Sequence, residues 1–218
     1  MDIDVKEIFT PKLTVERAIG IYRNLIGHPE LTPKSRFHGK FMYEFLPTIA
    51  LASKLHAQFF TITENPSIPY DAILYLNKYI ENLIEWVSAI PHEEAKRKLQ
   101  QIQEFGKASA HEKLDLRSKK ITKPNTHALS LADMEKFSKE NLTDLIINSF
   151  KKKQDKLNRG HYDLDMHLGI IYSDFGLDHA IASKAIEKAK STIASIKSFA
   201  EIHFISLRDV YNIIEFNF

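Results

Sequence analysis

Residues 71–90 read DAILYLNKYIENLIEWVSAI, and the fold predicted for the whole chain depends on how this stretch is interpreted. Its large apolar residues recur at steps of three and four, which is the spacing of one face of an α-helix. Pro91 follows directly and would end such a helix, because proline cannot continue the helical hydrogen bonding. The spacing therefore predicts a helix before Pro91. Its apolar face comprises Ile73, Leu76, Tyr79 or Ile80, Leu83, Ile84 and Val87.

Helical patterns also extend over most of the remaining chain. Thr10 followed by Pro11 is a helix-start signal, and Gly27 before His28 and Pro29 is a stop signal, so a helix is predicted over about 10–27. Further helices are predicted over 93–121, from 131 to a break at 158–160, over 163–172, and over 177–215 with a break near 199–204.

A small β element is predicted between the first helix and residue 71. Residues 40–45 (KFMYEF) and 57–63 (AQFFTIT) are rich in aromatic and β-branched side chains, which favour strands. The predicted fold class is therefore mainly α, a helical bundle with a small antiparallel β-hairpin insert near residues 40–63. Residues 1–124 would form a helical region with this insert and residues 125–218 a helical bundle, either separate or packed on the first as one domain.

Composition excludes several classes of protein. The 218 residues carry 30 Lys and Arg against 28 Asp and Glu, so the net charge of +2 does not indicate a strongly basic nucleic-acid binder. The absence of cysteine excludes disulfides, thiolate metal sites and a cysteine nucleophile. No long apolar run and no apolar leader segment are present, so a cytoplasmic protein without membrane contact is expected. Phosphate-binding glycine loops and a nucleophile elbow are also missing from the sequence.

Positive charge is concentrated in the middle of the chain, where residues 91–160 carry 16 basic against 10 acidic residues. Clustered lysines can neutralise nucleic-acid phosphates. They also solvate helix C-termini and interact favourably with the helix dipole, which is the alternative interpretation. The candidate nucleic-acid contacts are Lys119, Lys120, Lys123, Lys151, Lys152 and Lys153.

Residues 23–29, RNLIGHP, contain the motif with the most evident chemistry. Arginine can hold an anionic phosphate, and histidine can transfer protons near neutral pH. The Arg-Asn-x-x-x-His spacing resembles the signature of HEPN domains, all-helical modules of which many are metal-independent ribonucleases that act as dimers. This resemblance implies catalytic roles for Arg23, Asn24 and His28, RNA as the partner, and a homodimer.

Residues 14–90 also resemble a group of bacterial helical proteins in which a similar Arg-Asn and Gly-His-Pro stretch precedes a β-hairpin and further helices. Alternatively, Arg23 and Asn24 are surface residues of a helix that ends at Gly27. A helical module that binds a protein partner or regulates it, without chemistry or cofactor of its own, is the leading prediction, and the HEPN-like ribonuclease is the alternative.

A metal-binding helical protein is the second alternative. Asp163 and His167 would lie one turn apart on the helix predicted over 163–172, and both residue types bind divalent cations. Further ligands would come from Asp174, Asp178 or His179. Histidine and carboxylate at this spacing also pair on ordinary helix surfaces.

Overall fold

A computed structural model describes residues 4–25, 36–89, 131–163, 165–172, 179–196, 199–207, 209, 210 and 212. The helical elements are a 3-10 helix (Val5–Phe9), α1 (Val15–Leu25), α2 (Arg36–Lys40), a π-helical turn (Phe41–Phe45), α3 (Leu46–Lys54), α4 (Leu131–Asn158) and α5 (His179–Ala194). The strands are β1 (Phe59–Ile62), β2 (Ala72–Tyr75), β3 (Glu81–Ser88), β4 (His167–Tyr172) and β5 (Ile202–Ser206).

The five strands form one mixed sheet in the order β1-β2-β3-β4-β5. β1, β2 and β3 are antiparallel neighbours, whereas β4 is parallel to β3 and β5 is parallel to β4. A parallel neighbour requires a crossover connection, and α4 lies in the connection before β4 while α5 lies in the connection before β5. The sheet therefore takes strands from both sides of residue 124.

Apolar side chains cover both faces of this sheet. Ile84 and Trp86 of β3 belong to a core shared with α1 and α3, whereas Leu83 and Val87 pack against a second core shared with α4 and α5. Because alternate residues of a strand point to opposite faces, β3 lies between two layers of helices. Within the described ranges, none of the helices combines the length and apolar content needed to cross a bilayer.

The prediction of a mainly α helical bundle is wrong, and residues 71–90 show why. Within this stretch, residues 72–75 form β2 and residues 81–88 form β3. In the turn between them, Asn77 Oδ1 accepts hydrogen bonds from the backbone N–H groups of Tyr79 and Ile80 at 2.8 and 3.0 Å. A central strand that is buried on both faces is apolar at successive positions, so it lacks the alternation that marks a half-exposed strand. Periodicity cannot distinguish such a run from a buried helix.

Of the two strands predicted for the hairpin near residues 40–63, only the second is present. Residues 57–63 contain β1, but β1 pairs with β2, and residues 40–45 are helical. Phe41 and Phe45 lie four residues apart on the helical stretch and their rings stack 5.6 Å apart. Phe41 also stacks on Tyr22 of α1 at 6.1 Å. Burial of these rings against α1 and the sheet overrides the strand preference of aromatic residues.

The second half also departs from the prediction. The helix predicted over 163–172 is wrong, because β4 lies there. The first part of the helix predicted over 177–215 is confirmed as α5, whereas β5 begins within the predicted break near 199–204. The predicted break at 158–160 coincides with the end of α4, where Gly160 adopts a φ of 73°. β4 is buried from Leu168 to Tyr172, so its sequence again lacks a strand alternation.

Trp86 packs directly over Gly169, its partner in the register between β3 and β4. A Cβ at position 169 would lie 2.1 Å from two carbons of the indole. The indole Nε1–H donates to Thr48 Oγ1 of α3 at 2.9 Å, and the Thr48 hydroxyl donates to the Glu44 carbonyl at 2.6 Å. The missing side chain of Gly169 thus allows Trp86 to connect the sheet to the α3 layer.

We expect Gly169→Ala to lower the free energy of unfolding by about 3 kcal/mol, because the indole must move and overpacking in a filled core is destabilising. Urea denaturation measures this change. Gly20→Ala is the matched control: its Cβ meets nothing within 4 Å, so the higher helix propensity of alanine should stabilise α1 by about 0.5–1 kcal/mol. Equal stability of Gly169→Ala and the wild-type protein would contradict the packing described for Trp86.

Candidate functional site

The residues of the RNLIGHP motif are described only in part. Arg23 and Asn24 lie exposed in the last turn of α1, and Asn24 Nδ2 donates to the Gly20 carbonyl at 2.9 Å. His28 lies outside the described residues. A site formed by Arg23, Asn24 and His28 therefore stays a prediction, whereas the all-helical architecture of HEPN domains is not that of this chain.

The lysines predicted to contact phosphates divide into two groups. Lys119, Lys120 and Lys123 lie outside the described residues. Lys151 and Lys152 are exposed near the C-terminal end of α4, but Lys153 is largely buried because it forms an ion pair with Glu85. Only the second of the two lysine clusters can thus be related to the fold.

The predicted pairing of Asp163 with His167 on a helix is wrong. Asp163 is exposed and precedes β4, whereas His167 is the first residue of that strand. His167 instead faces His203 of β5, and burial lowers the pKa of both imidazoles, that of His203 to about 4. Among the other suggested ligands, Asp174 and Asp178 lie outside the described residues, and His179 begins α5.

A different group of charged residues converges where β2 separates from β3. The last pair in this ladder is Ala72 with Ile84, but β3 continues to Ser88. Asp71 therefore stands beside the unpaired part of β3, and its Oδ2 accepts a hydrogen bond from the Trp86 backbone N–H at 2.9 Å. The carboxylate takes the place of the next strand residue, so Asp71 and Glu85 come close together.

Lys40 and Glu44 approach the same point from the helical layer. Lys40 Nζ donates to Glu44 Oε2 at 2.5 Å and to the Thr63 carbonyl at 3.2 Å, and it lies 3.8 Å from Asp71 Oδ1. Glu44 belongs to the π-helical turn, in which the Leu46 N–H bonds to the Phe41 carbonyl five residues back. Single π turns within helices occur frequently at functional sites.

Lys153 of α4 and Tyr162 approach Glu85 from the opposite layer. Lys153 Nζ donates to Glu85 Oε1, and the Tyr162 hydroxyl donates to the same oxygen at 2.9 Å. We call the six residues Lys40, Glu44, Asp71, Glu85, Lys153 and Tyr162 the acid–base cluster. It brings together side chains from both helical layers and from the β2 and β3 region of the sheet.

Four residues of the acid–base cluster line a groove of about 560 Å³: Lys40, Asp71, Glu85 and Tyr162. One wall is the loop over residues 65–70, and the other includes Lys156, His161 and Tyr162. Another groove, of about 520 Å³, includes Thr14, Glu16 and His56 in its lining, but none of the six cluster residues. Concave sites with convergent polar groups are the usual location of enzyme active sites.

Burial and the charge of Asp71 raise the pKa values of two cluster carboxyls, Glu44 and Glu85. Burial, followed by the charge of Asp71, raises the pKa of Glu44 to about 8, although Lys40 opposes this shift. Burial and Asp71 also raise the pKa of Glu85 despite Lys153 and Tyr162. Burial and the Glu85 charge raise the pKa of the Tyr162 hydroxyl, which therefore remains a hydrogen-bond donor at neutral pH. When all three carboxyls are ionised, their charges outnumber those of the two lysines, so a bound cation would relieve the repulsion.

The acidic residues of this cluster and Lys40 belong to none of the sites predicted from the sequence. A weak signal was present, because Glu85 is the one charged residue in the apolar run over 83–90, and Asp71 directly precedes another apolar run. A charged residue within a buried strand is rare and marks a candidate site. This signal could not be interpreted while residues 71–90 were assigned to a helix.

Comparison of the chain with protein-family models, curated proteins and solved structures finds no match. The comparisons supply neither a family nor an activity, so the function has to be inferred from the geometry of the acid–base cluster.

Titration of Glu44 should make stability depend on pH when a chelator removes divalent cations. The raised pKa means that the folded chain binds this proton more tightly than the unfolded chain, whose Glu has a pKa near 4.5. The stabilisation is complete below about pH 4.5 and is lost as pH rises through about 8. Between pH 5 and 8 we expect the free energy of unfolding to fall relative to Glu44→Gln by on the order of 1–3 kcal/mol.

Urea denaturation at each pH measures this difference. Glu81→Gln, which alters an exposed carboxylate at the start of β3, is the matched control and should follow the wild-type curve. Parallel curves for the wild-type protein and Glu44→Gln would show that the carboxyl of Glu44 is not destabilised by burial and Asp71.

Proposed function

We propose that this protein is a divalent-cation-dependent nuclease whose active site is the acid–base cluster and whose substrate is DNA. The observation that carries the proposal is the convergence of Glu44, Asp71 and Glu85 from three separate segments on Lys40 and Lys153, beside a groove that Asp71 and Glu85 line. These carboxyls are separated by up to 41 positions in the sequence, so their convergence is a product of the fold.

The residues present fit a hard divalent cation such as Mg²⁺. Carboxylate oxygens are the ligands that this ion prefers, and one or two protein carboxylates usually hold it together with substrate phosphates. Asp71 and Glu85, which both line the groove, are the candidate ligands. The three cluster carboxylates do not all lie within 4.8 Å of one another, so Glu44 would bind the same ion only after its side chain moves. A cation held there would supply Lewis-acid stabilisation of the phosphoryl group. The sequence predicted a protein without a cofactor, whereas this proposal includes a bound divalent cation.

The chain itself orients these carboxylates. The Trp86 N–H fixes Asp71, Lys40 holds Glu44, and both Lys153 and Tyr162 hold Glu85. Such locked side chains reduce the reorganisation needed during reaction. In the hydrolysis, the oxygen of water bonds to phosphorus and one P–O ester bond breaks. A cluster carboxylate accepts the proton of water, and the leaving oxygen takes a proton from solvent.

Basic residues beside the groove support a polyanionic substrate. Lys156 and His161 line the groove, and Lys151, Lys152 and Arg159 are exposed nearby along α4 and its end. These side chains can neutralise successive phosphates of a nucleic-acid backbone, which gives affinity without sequence preference. Because water is the nucleophile, the reaction needs no ribose 2′-hydroxyl, and DNA is a competent substrate.

Cleavage of labelled single-stranded and double-stranded DNA with Mg²⁺ or Mn²⁺ tests the proposal. We expect Asp71→Asn and Glu85→Gln to reduce the cleavage rate at least 100-fold, because each removes a negative charge from the cation site. Both substitutions keep an oxygen that can accept the existing hydrogen bonds, so the fold should be retained. Thermal unfolding of each variant checks this point.

Asp155→Asn is the matched control, since Asp155 is an exposed carboxylate on the same helix as Lys153. It should cleave DNA at the wild-type rate. Equal cleavage by Asp71→Asn and the wild-type protein would show that the activity arises elsewhere. Binding of DNA without cleavage under any of these conditions would overturn the nuclease proposal in favour of a binding module.

A further inference from the structure

His167, Glu201 and His203 meet at the start of the two parallel strands β4 and β5. The register pairs Leu168 with Ile202 and Gly169 with His203, and the Leu168 N–H donates to the Glu201 carbonyl at 2.9 Å. His203 lies two residues after Glu201, so both side chains point to the same face of the sheet. The register places His167 beside them on that face. We call these three residues the His–Glu cluster.

The distances within the His–Glu cluster are short. His167 Nδ1 lies 3.0 Å from His203 Nε2, and the two rings stack 5.3 Å apart with an angle of 14°. Glu201 Oε2 lies 3.8 Å from His167 Nδ1, and Oε1 lies 3.7 Å from His203 Nδ1. One ligand atom from each residue lies within 4.8 Å of the other two, and within the described ranges no other group of three such residues meets this criterion.

We infer that His167, Glu201 and His203 form a binding site for a transition-metal cation, with Zn²⁺ the best match, separate from the acid–base cluster. Two imidazoles and one carboxylate are an established ligand set for Zn²⁺. With metal–nitrogen distances of about 2.0–2.1 Å, tetrahedral geometry places the two nitrogens about 3.3 Å apart. The present separation of 3.0 Å needs to open by only a few tenths of an ångström.

The two carboxylate oxygens of Glu201 can take different roles at such a site, one as a metal ligand and the other as a hydrogen-bond acceptor for a histidine ligand. Its side chain is 59 % exposed and can turn, whereas its backbone is fixed to β4. Oε2 can approach the cation, and Oε1 can accept a hydrogen bond from His203 Nδ1–H, which would orient that ring. The exposed side of the cluster leaves a further coordination position open to solvent, and the cation would join β4 to β5.

The two sites select different cations. Imidazole nitrogen suits Zn²⁺ and its transition-metal neighbours, whereas the carboxylates of the acid–base cluster suit Mg²⁺. The inference about the His–Glu cluster is therefore independent of the proposed nuclease activity. Without a metal, the two neutral imidazoles would simply share one proton in an N–H···N hydrogen bond. The experiment has to distinguish these two states.

Calorimetric titration of the metal-free 218-residue chain with ZnCl₂ in excess Mg²⁺, in the absence of DNA, tests the inference. We expect one Zn²⁺ per chain with a dissociation constant of about 1 μM or below. Glu201→Gln should weaken binding at least tenfold, and the double variant His167→Gln with Glu201→Gln should abolish this binding event. Titration with Co²⁺ should give visible absorption bands of a four- or five-coordinate site, and Zn²⁺ should remove them.

His56→Asn is the matched control, because it removes a histidine outside the cluster at a position where φ is 53° and asparagine is tolerated. It should bind Zn²⁺ as the wild-type protein does. Glu201 is exposed, so Glu201→Gln decides the test even if the double variant does not fold. Absence of Zn²⁺ binding below 100 μM (about 5.5 kcal/mol), or equal affinity of the wild-type protein and Glu201→Gln, would overturn the inference and leave a histidine hydrogen bond.

Discussion

The indole of Trp86 fills the space that a side chain at position 169 would occupy, and this contact fixes three parts of the molecule at once. The indole N–H reaches Thr48, whose hydroxyl reaches the carbonyl of Glu44. The backbone N–H of the same tryptophan holds Asp71. Trp86 thus connects the helical layer, β3 and the beginning of β2, and its position determines where two of the cluster carboxyls lie.

The acid–base cluster exists because β2 is shorter than β3. If the β2–β3 ladder continued beyond Ala72, a backbone carbonyl of β2 would accept the hydrogen bond from the Trp86 N–H. The side chain of Asp71 would then not be needed to accept it. The resulting arrangement is electrostatically unfavourable for the isolated protein, since Glu44 and Glu85 both have raised pKa values. Stability lost at a functional site is commonly offset elsewhere, and here the two buried cores supply that compensation.

Sequence reasoning succeeded where a local signal was unambiguous. The end of α4 was predictable because residues 158–160 contain a glycine, and in the structure this glycine adopts a left-handed conformation. β3 and β4 could not be predicted from the spacing of their apolar residues, because a strand that is buried on both faces lacks the usual alternation of apolar and polar residues. His167 was recognised as a metal-ligand type, but its neighbours come from β5. The pairing of two distant strands is a tertiary property that one sequence does not reveal.

Lys153 was singled out for its charge, and in the structure it forms an ion pair with the buried carboxylate of Glu85. The three acidic residues of the cluster have no distinctive local sequence and lie far apart in the chain, so only the fold shows that they come together. Arg23, Asn24 and His28 formed the more conspicuous pattern, although two of these residues lie at the exposed end of a helix. A local motif is visible in a sequence, whereas a site assembled from distant segments is not.

The origin of Lys153 and Tyr162 has a consequence for biosynthesis. When the ribosome has released residues 1–89, the emerging polypeptide already contains Glu44, Asp71 and Glu85, but the ammonium and phenol that bind Glu85 are 68 and 77 positions further on. An early nascent chain therefore holds mutually repelling acids without half of their counter-charges. The groove beside the acid–base cluster is completed only after α4 and the following turn have been synthesised, so a prematurely terminated product would carry the acids without Lys153 and Tyr162.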